Sequence, residues 1–456
     1  MRFDVAIVGG GASGVLSAIH LLRAGGAPLR IALIEKRGEP GAGIAYSTRR
    51  PEHLLNVTAG RMSAIDADPD HFVRHLIAQA PQSLPAAALA STFAERREYA
   101  AYLRATLAQE RERSASTLEV IRDEIVAIER EGDLQLASRS GSTLRARCAI
   151  LALGNWPRAL PASSAGVAAA AVLQGWDFAA IAGLDPAHDV LIAGAGLSMV
   201  DVVLTLAANR HRGAIHVVSR HALFPLPHAR HGGVALDIDA LSRLPLSRRI
   251  LALRRCAREA VARGEPWQWV MDTLRSENAH LWQALSSHEQ ARFLRHASRY
   301  WDIHRHRIPP AAAAVVDAML HSGQLIRHAG RVASMVPGDG RLRVDIDPTR
   351  ADDARSIVVD RSINCTGMQS NLERVPDDLV NALLRRGIAR RGPHGIGLAT
   401  DAAGALVDAG GHADPRLSTL GSVRIGQLWE SVAIPELRVQ AAILADRLGG
   451  CLTGGF

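Results

Sequence analysis

Aromatic side chains make up only 4% of this chain, and Lys36 is the single lysine among 53 basic residues. Without a basic stripe interleaved with aromatics, the net charge of +8 and a pI near 10.1 do not describe a nucleic-acid surface. Arginine replacing lysine almost throughout, together with abundant alanine, reads as a compositional bias. Cysteine is sparse too. Cys148, Cys256, Cys365 and Cys451 lie far apart and form neither a C-x-x-C pair nor a metal-ligand spacing, which argues against dithiol chemistry and against a bound metal. No apolar run reaches the ~18 residues of a membrane span, and the N-terminus enters a strand without a charged, cleavable leader. A cytoplasmic protein with no membrane contact is expected. The 456 residues suffice for two or three domains of ~150 residues each.

What the chain does have is glycine in a particular order. Asp4 to Val8 is a short β-branched run, and Gly9, Gly11 and Gly14 follow it in G-x-G-x-x-G spacing. Val15, Leu16, Ile19, Leu21 and Leu22 then recur at helical spacing, and a second run, Ile31 to Ile34, ends on Glu35, twenty-one residues past Gly14. Strand, turn, helix, strand and terminal acid make one βαβ unit for a dinucleotide. Gly9 permits the tight turn, Gly11 lets the backbone approach a pyrophosphate, and Gly14 lets the helix pack against the strand. The helix N-terminus supplies free N–H groups to the diphosphate, and Glu35 is placed to accept from ribose hydroxyls.

The long stretch from Lys36 to Ser63, rich in glycine and proline at its start, is expected to cover the cofactor rather than to be an idle loop. Helical patterns follow at Asp70 to Ala80 and Tyr99 to Gln109, then strands at Val120 to Ile121, Ile125 to Ile128, Leu134 to Ala137 and Ala149 to Leu153. The last of these stops at Gly154.

A second βαβ unit begins at Asp189. Val190 to Ala193 is a buried strand, Gly194 and Gly196 take the first two glycine positions, Met199 replaces the third, and Ser198 lies beside the phosphate position. This unit ends in Ser219-Arg220. A carboxylate there would repel a 2′-phosphate and an arginine attracts it, so NADP(H) is favoured over NAD(H). Residues 235–305 read as a helical insertion. The charged segment Arg295 to Arg307 admits three readings: a metal site, which His304 and His306 cannot share on one helix face, a contact to an anionic substrate or NADP phosphate, and a solvated or structural basic run. Ile357 to Gly367 reads as one strand ending in glycine, and a last helix runs from about Pro435 through Leu444. The ends at Gly154 and Gly367 suggest where the chain leaves and re-enters its first domain.

The G-x-G-x-A-Y loop at Gly41 to Tyr46, the H-L-L-N-V segment at His53 to Val57 with Met62-Ser63, and the N-C-T-G end at Asn364 to Gly367 resemble the bacterial FAD-NAD(P)-binding oxidoreductases with two dinucleotide-binding domains. More distantly the chain is similar to the N-hydroxylating flavoprotein monooxygenases. The resemblance implies an α/β fold of two Rossmann-like dinucleotide-binding domains, the NADP domain inserted into the FAD domain and carrying the helical insertion. The expected parts are 1–160 for the first part of the FAD domain, 161–350 for the NADP domain, and 351–456 for the rest of the FAD domain. It implies FAD at Gly9, Gly11, Ser13, Gly14 and Glu35, with Val126 offering its backbone to the adenine, Leu55, Asn56 and Gly426 to Trp429 near the isoalloxazine, and NADP at Gly194, Gly196, Ser198 and Arg220. Lys36, Gly154, Gly367 and Leu428 complete the candidate cofactor-binding set. No catalytic residue is demanded, because the cofactors carry the chemistry. The activity implied is NADPH-dependent hydroxylation of a small nucleophilic substrate. The alternatives are a reductase passing electrons to a quinone, small acceptor or partner protein, and a non-catalytic cofactor-binding protein. No F-x-G-x-x-x-H fingerprint precedes Gly194, and Asn364 to Gly367 stands where the monooxygenases carry an A-T-G-Y end.

Overall fold

The computed structural model describes residues 1–41, 43–80, 84–160, 167, 171–349 and 355–454. Ala42, in the glycine loop, lies outside them. The strand Arg2–Val8 is the spine of a first sheet, paired in parallel with Arg30–Ile34 on one side and Thr143–Leu151 on the other, so that Val8 faces both Ile34 and Leu151. Its alternating side chains serve two cores. Val5 and Ile7 pack under the helices Ala12–Arg23, Arg96–Arg113 and Ile434–Gly454, and Ala6 and Val8 pack with the antiparallel pair Ile125–Arg130 and Leu134–Ser138 and the helix Asp378–Arg385. Burial on both faces explains why this strand is a continuous apolar run. Thr117–Ile121 extends the sheet beyond Arg30–Ile34, and Ala413–Thr419 and Ala405–Val407 extend it beyond Thr143–Leu151.

A second sheet runs in the order Arg355–Val359, Arg341–Pro348, Leu325–Gly338, Ile215–Ser219, Val190–Ala193, Arg361–Asn364, Val172–Gln174. The chain passes between the sheets twice, and the two passages pair with each other: Pro157 bridges Met368, the Arg158 N–H donates to Gly367 O (3.0 Å), and the Gln369 N–H donates to Trp156 O (2.8 Å). Gly154 (φ +72°) and Gly367 (φ +92°) stand at the two passages.

Two expectations need correction here. The run from Ile357 to Gly367 is two strands, broken at Asp360, because the Asp360 carboxylate accepts from the Asp189 N–H (2.7 Å) and pairs with Arg341 (3.1 Å), turning the chain from an antiparallel to a parallel neighbour. Both strands belong to the second sheet, so the return to the first sheet falls at Gly367 and not at residue 351.

After Ile215–Ser219 the chain forms the helices Ile238–Arg243, Leu246–Ala262, Gln268–Leu274, Asn278–Gln283, Ser287–His296 and Ser298–Arg305. Local chemistry sets their starts. Asp237 accepts from the Ala240 N–H, and Ser286 with Glu289 forms a reciprocal capping box. No helix among the described residues is long and apolar enough to cross a membrane.

Candidate cofactor-binding and active site

In the first glycine turn the strand Arg2–Val8 hands over to the helix Ala12–Arg23. Gly9 sits at φ +105°, and a Cβ there would lie 2.3 Å from Ala152 O; one on Gly14 would lie 1.9 Å from Gly9 O. Backbone packing alone therefore demands both glycines. A Cβ on Gly11 would meet Gly43 Cα at an ordinary 3.6 Å, so its absence serves something other than the protein's own packing. Gly11 is the N-cap and makes no side-chain cap, which leaves the first-turn N–H groups without a side-chain acceptor, and Ser13 lies in that first turn facing Gly421. Glu35 closes the turn: one carboxylate oxygen accepts from the Gly10 N–H and the other from the Arg37 N–H, each at 2.7 Å. A carboxylate has about four acceptor sites, so two remain for hydroxyl donors. Lys36 pairs with Glu124 (2.9 Å), and a bulge between Ile125 and Ala127 leaves Val126 out of the strand ladder beside them.

The second turn repeats the scaffold with other side chains. Gly194 (φ +108°) could not carry a Cβ, which would lie 2.1 Å from Cys365 O, whereas nothing lies within 4 Å of a Cβ on Gly196. Gly196 is the uncapped N-cap of the helix Leu197–Ala208, Met199 is fully buried in the core beneath it, and Ser198 Oγ accepts from Trp176 Nε1 (3.3 Å). Arg220 is exposed at the end of the second strand. Arg299 adds a second cation: its guanidinium donates to Ala195 O (2.8 Å), inside the glycine turn, and to Leu223 O. Burial and the neighbouring Arg220 both pull the Arg299 pKa down, while Asp302 opposes them.

The H-L-L-N-V segment is a joint between the two sheets. His53 is fully buried, with Nδ1 2.7 Å from Thr48 Oγ1 and Nε2 2.9 Å from Thr205 Oγ1, and its ring packs on Phe178 at 4.3 Å. Arg96 grips Asp201 with two bonds of 2.7 and 2.9 Å and also donates to Leu54 O (3.0 Å). Helix Leu197–Ala208, whose N-terminus forms the second glycine turn, is thereby tied to the segment that carries Leu55 and Asn56. Burial pushes the His53 pKa down, and pushes that of His228, whose Nε2–H donates to Asn56 O (3.1 Å), to about 4, so both rings are neutral at pH 7.

A buried charged cluster closes the other side. Arg305, 8% exposed, pairs with Glu430 (2.7 Å), which also accepts from Trp301 Nε1 (2.8 Å) and Asn278 Nδ2 (2.7 Å); Arg275 pairs with Glu436 (3.0 Å) and Arg307 with Asp272. Burial raises the Glu430 carboxyl, but Arg305 and its other cationic neighbours outweigh that and hold it below the usual range. The cluster holds the backbone at Trp429, a non-glycine residue at φ +61°, ψ −58°, where the Glu430 N–H donates back to Leu428 O (2.7 Å) in a strained γ-turn. Trp282 stacks on Trp429 at 5.2 Å and donates to Gly426 O (3.2 Å).

The structure thus brings Gly9, Gly11, Ser13, Gly14, Glu35, Lys36 and Val126 around the first turn, and Gly194, Gly196, Ser198 and Arg220 around the second. Gly154 and Gly367 sit at the passages between the sheets, and Asn56 and Leu428 border the joint and the charged cluster. Of the readings open for Arg295 to Arg307, the structural basic run fits its C-terminal end: Arg305 and Arg307 are buried and ion-paired, and Arg299 reaches into the second turn. Among the described residues no group of three or more His, Cys, Asp or Glu is arranged to hold a metal. Sequence reading missed Arg96, Asp201, Arg299 and Glu430 as partners, although Asp201 and Arg299 lie in segments that it singled out.

Residues 6–156 match the family model described as FAD-NAD(P)-binding. No curated protein matches the chain. Among solved structures it is similar to the ornithine N-hydroxylase of Kutzneria sp. 744, solved with reduced FAD, NADP+ and L-ornithine, at 15% identity and a TM-score of 0.68 over 98% of this chain and 99% of that one. It is equally similar to L-lysine 6-monooxygenase of Pseudomonas syringae, at 15% identity and a TM-score of 0.68 over 99% of both chains. The bacillithiol disulfide reductase Bdr of Staphylococcus aureus follows at 12% identity and 0.58 over 100% of both. At such identities the likeness is one of fold. The chain therefore has the α/β fold that these two-domain flavoproteins share, and its residues 6–156 match an FAD-NAD(P)-binding family model.

Proposed function

We propose that this chain is an FAD-dependent, NADPH-using monooxygenase. One observation carries the reading: two uncapped, glycine-led helix N-termini whose following strands end in opposite charge, Glu35 in the first and Arg220, with Arg299 beside it, in the second. Residues 1–154 and 367–454 hold FAD, with the diphosphate at Gly9, Gly11, Ser13 and Gly14, the ribose at Glu35, Lys36 nearby, the adenine at the Val126 bulge, and the flavin side near Asn56, Leu428 and the passages at Gly154 and Gly367. Residues between those passages hold NADP at Gly194, Gly196, Ser198 and Arg220. FAD supplies acceptance of two electrons from NADPH and their delivery to oxygen. One oxygen atom enters a small nucleophilic substrate and the other leaves as water, with NADPH and one proton consumed. The protein's own work is to keep His53 and His228 neutral, to hold the two domains in register through Arg96 and Asp201, and to fix the strained turn at Trp429.

The N-hydroxylases that share the fold support oxygenation, and the disulfide reductase that shares it keeps a reductase reading in view. For the latter, burial pushes the Cys365 thiol well up, and the chain has no second cysteine near it in sequence. NADPH consumption with oxygen uptake, followed across a panel of amines, amino acids and heterocycles, separates the two. Substrate-stimulated consumption with hydroxylated product supports the monooxygenase; oxygen-independent turnover with a quinone or disulfide replaces it with the reductase.

A further inference from the structure

The helical insertion surrounds a cavity of about 920 Å³, within the size range of sites that take drug-sized ligands. Four of the seven tryptophans of this aromatic-poor chain line it: Trp267, Trp282, Trp301 and Trp429. Trp282 and Trp301 give their N–H groups to Gly426 O (3.2 Å) and Glu430 (2.8 Å), so what they offer a ligand is ring surface. Leucines and Phe293 make up much of the remaining wall. Leu251 and Tyr300, in the same lining, are 52% and 51% exposed, so the cavity opens to solvent past apolar side chains. Such a lining suits an apolar body.

Charge narrows the class. Arg249, Arg254 and Arg258 line the cavity, and no carboxylate does among the described residues. Arg254 and Arg258 stand one turn apart on the helix Leu246–Ala262, both exposed, and neither makes an ion pair among the described residues. Arginines close to them in sequence do: Arg255 pairs with Glu259 (3.6 Å) and Arg263 with Glu265 (2.7 Å). Arg249, buried in the wall, gives its Nη groups to the carbonyls of Leu281, Ser242 and Leu244 and also makes no ion pair among the described residues. Like charges one turn apart repel each other, and an anion between them relieves the repulsion. A guanidinium presents paired N–H donors that match the two oxygens of a carboxylate. An exposed arginine can lay its stem on apolar wall and keep its head in water, so both heads are free to turn to one anion.

We infer that this cavity binds a hydrophobic carboxylic acid, its apolar body among the tryptophans and its carboxylate held by Arg254 and Arg258. Binding there does not depend on the redox reading of the glycine turns. A cationic amphiphile would meet three arginines and no counter-ion.

Calorimetric titration of the full-length, flavin-loaded protein tests it, with decanoate, 1-decanol and decylamine as probes. Decanoate should bind at least tenfold more tightly than the alcohol of the same length, and than the amine, which is cationic at neutral pH. Added salt should weaken the binding of decanoate but not of 1-decanol. The double variant Arg254→Gln with Arg258→Gln should bring decanoate down to the affinity of 1-decanol. Ala257→Trp, which fills the cavity from the same helix, should weaken both at least tenfold. Flavin absorbance and unfolding midpoints report that each variant is folded; the two exposed arginines have no ion pair to lose, so the double variant stands alone if Ala257→Trp does not fold. Equal affinity for decanoate and 1-decanol, or unchanged decanoate affinity in either folded variant, overturns the assignment. Cosedimentation with phosphatidylglycerol vesicles without any binding of free decanoate overturns it too, and makes this basic face a membrane surface.

Discussion

The two glycine turns share a backbone plan and differ in what their side chains do. In the first, Gly14 is required because a Cβ would lie 1.9 Å from Gly9 O; in the second, Met199 occupies that place and is fully buried. The first ends in Glu35, whose carboxylate is tied to the turn through the Gly10 N–H, and the second in Arg220, exposed, with Arg299 behind it. The third glycine of such a motif is thus a packing device that another core can replace. The charge at the end of the second strand is the part proposed to select the ligand.

Exchange at the third position breaks the comparison hardest. Gly14→Ala should destabilise the protein by roughly 3 kcal/mol through overpacking, and Met199→Gly, although it restores the glycine pattern, should also destabilise it, by about 3–5 kcal/mol through the cavity it leaves and the lost helix propensity. Denaturant unfolding measures both; a stabilising Met199→Gly would mean that the second turn prefers the glycine after all. Glu430→Gln should come next, at about 3 kcal/mol, because it removes the close carboxylate from buried Arg305 and leaves it only Glu436 at 3.7 Å. Gly11→Val should leave stability nearly unchanged, since a Cβ there meets only ordinary contact, and should abolish copurification of FAD. Stoichiometric flavin in that variant would remove FAD from the first turn. Arg220→Ala should lower kcat/KM for NADPH at least tenfold, about 1.4 kcal/mol, with little change for NADH. An unchanged ratio would transfer the phosphate contact to Arg299.

The smallest effect is one of pH. His53 and His228 have folded pKa values below the unfolded value of 6.5, His228 at about 4, so the unfolded chain takes up protons first. Their contribution to stability is complete above pH 6.5 and is lost as the pH falls from there toward 4. Denaturation midpoints measured across that range should decline with acidification, and less steeply in His228→Gln.

Both βαβ units were legible because their signals are local: a β-branched run, glycines within six residues, and helical periodicity. The joints were not. Arg96 and Asp201 lie 105 positions apart, and the Asn278 contact to Glu430 spans 152, so nothing in either neighbourhood announces the other. For the segment from Arg295 to Arg307 a solvated and a structural basic run could not be told apart; only the distant Asp272, Glu430 and Glu436 make the burial of Arg305 and Arg307 possible. Asp360 looked like one more residue of a strand because the Asp189 N–H and Arg341 that hold its bend come from other strands.

The central claim is that the first turn holds a flavin and the second delivers NADPH to it. Anaerobic rapid mixing of the purified, FAD-loaded protein with NADPH, followed by flavin absorbance, tests it most directly. The account predicts full reduction of the flavin by NADPH, and at least tenfold slower reduction by NADH at equal concentration below saturation; a flavin that stays oxidised with both nucleotides would contradict it.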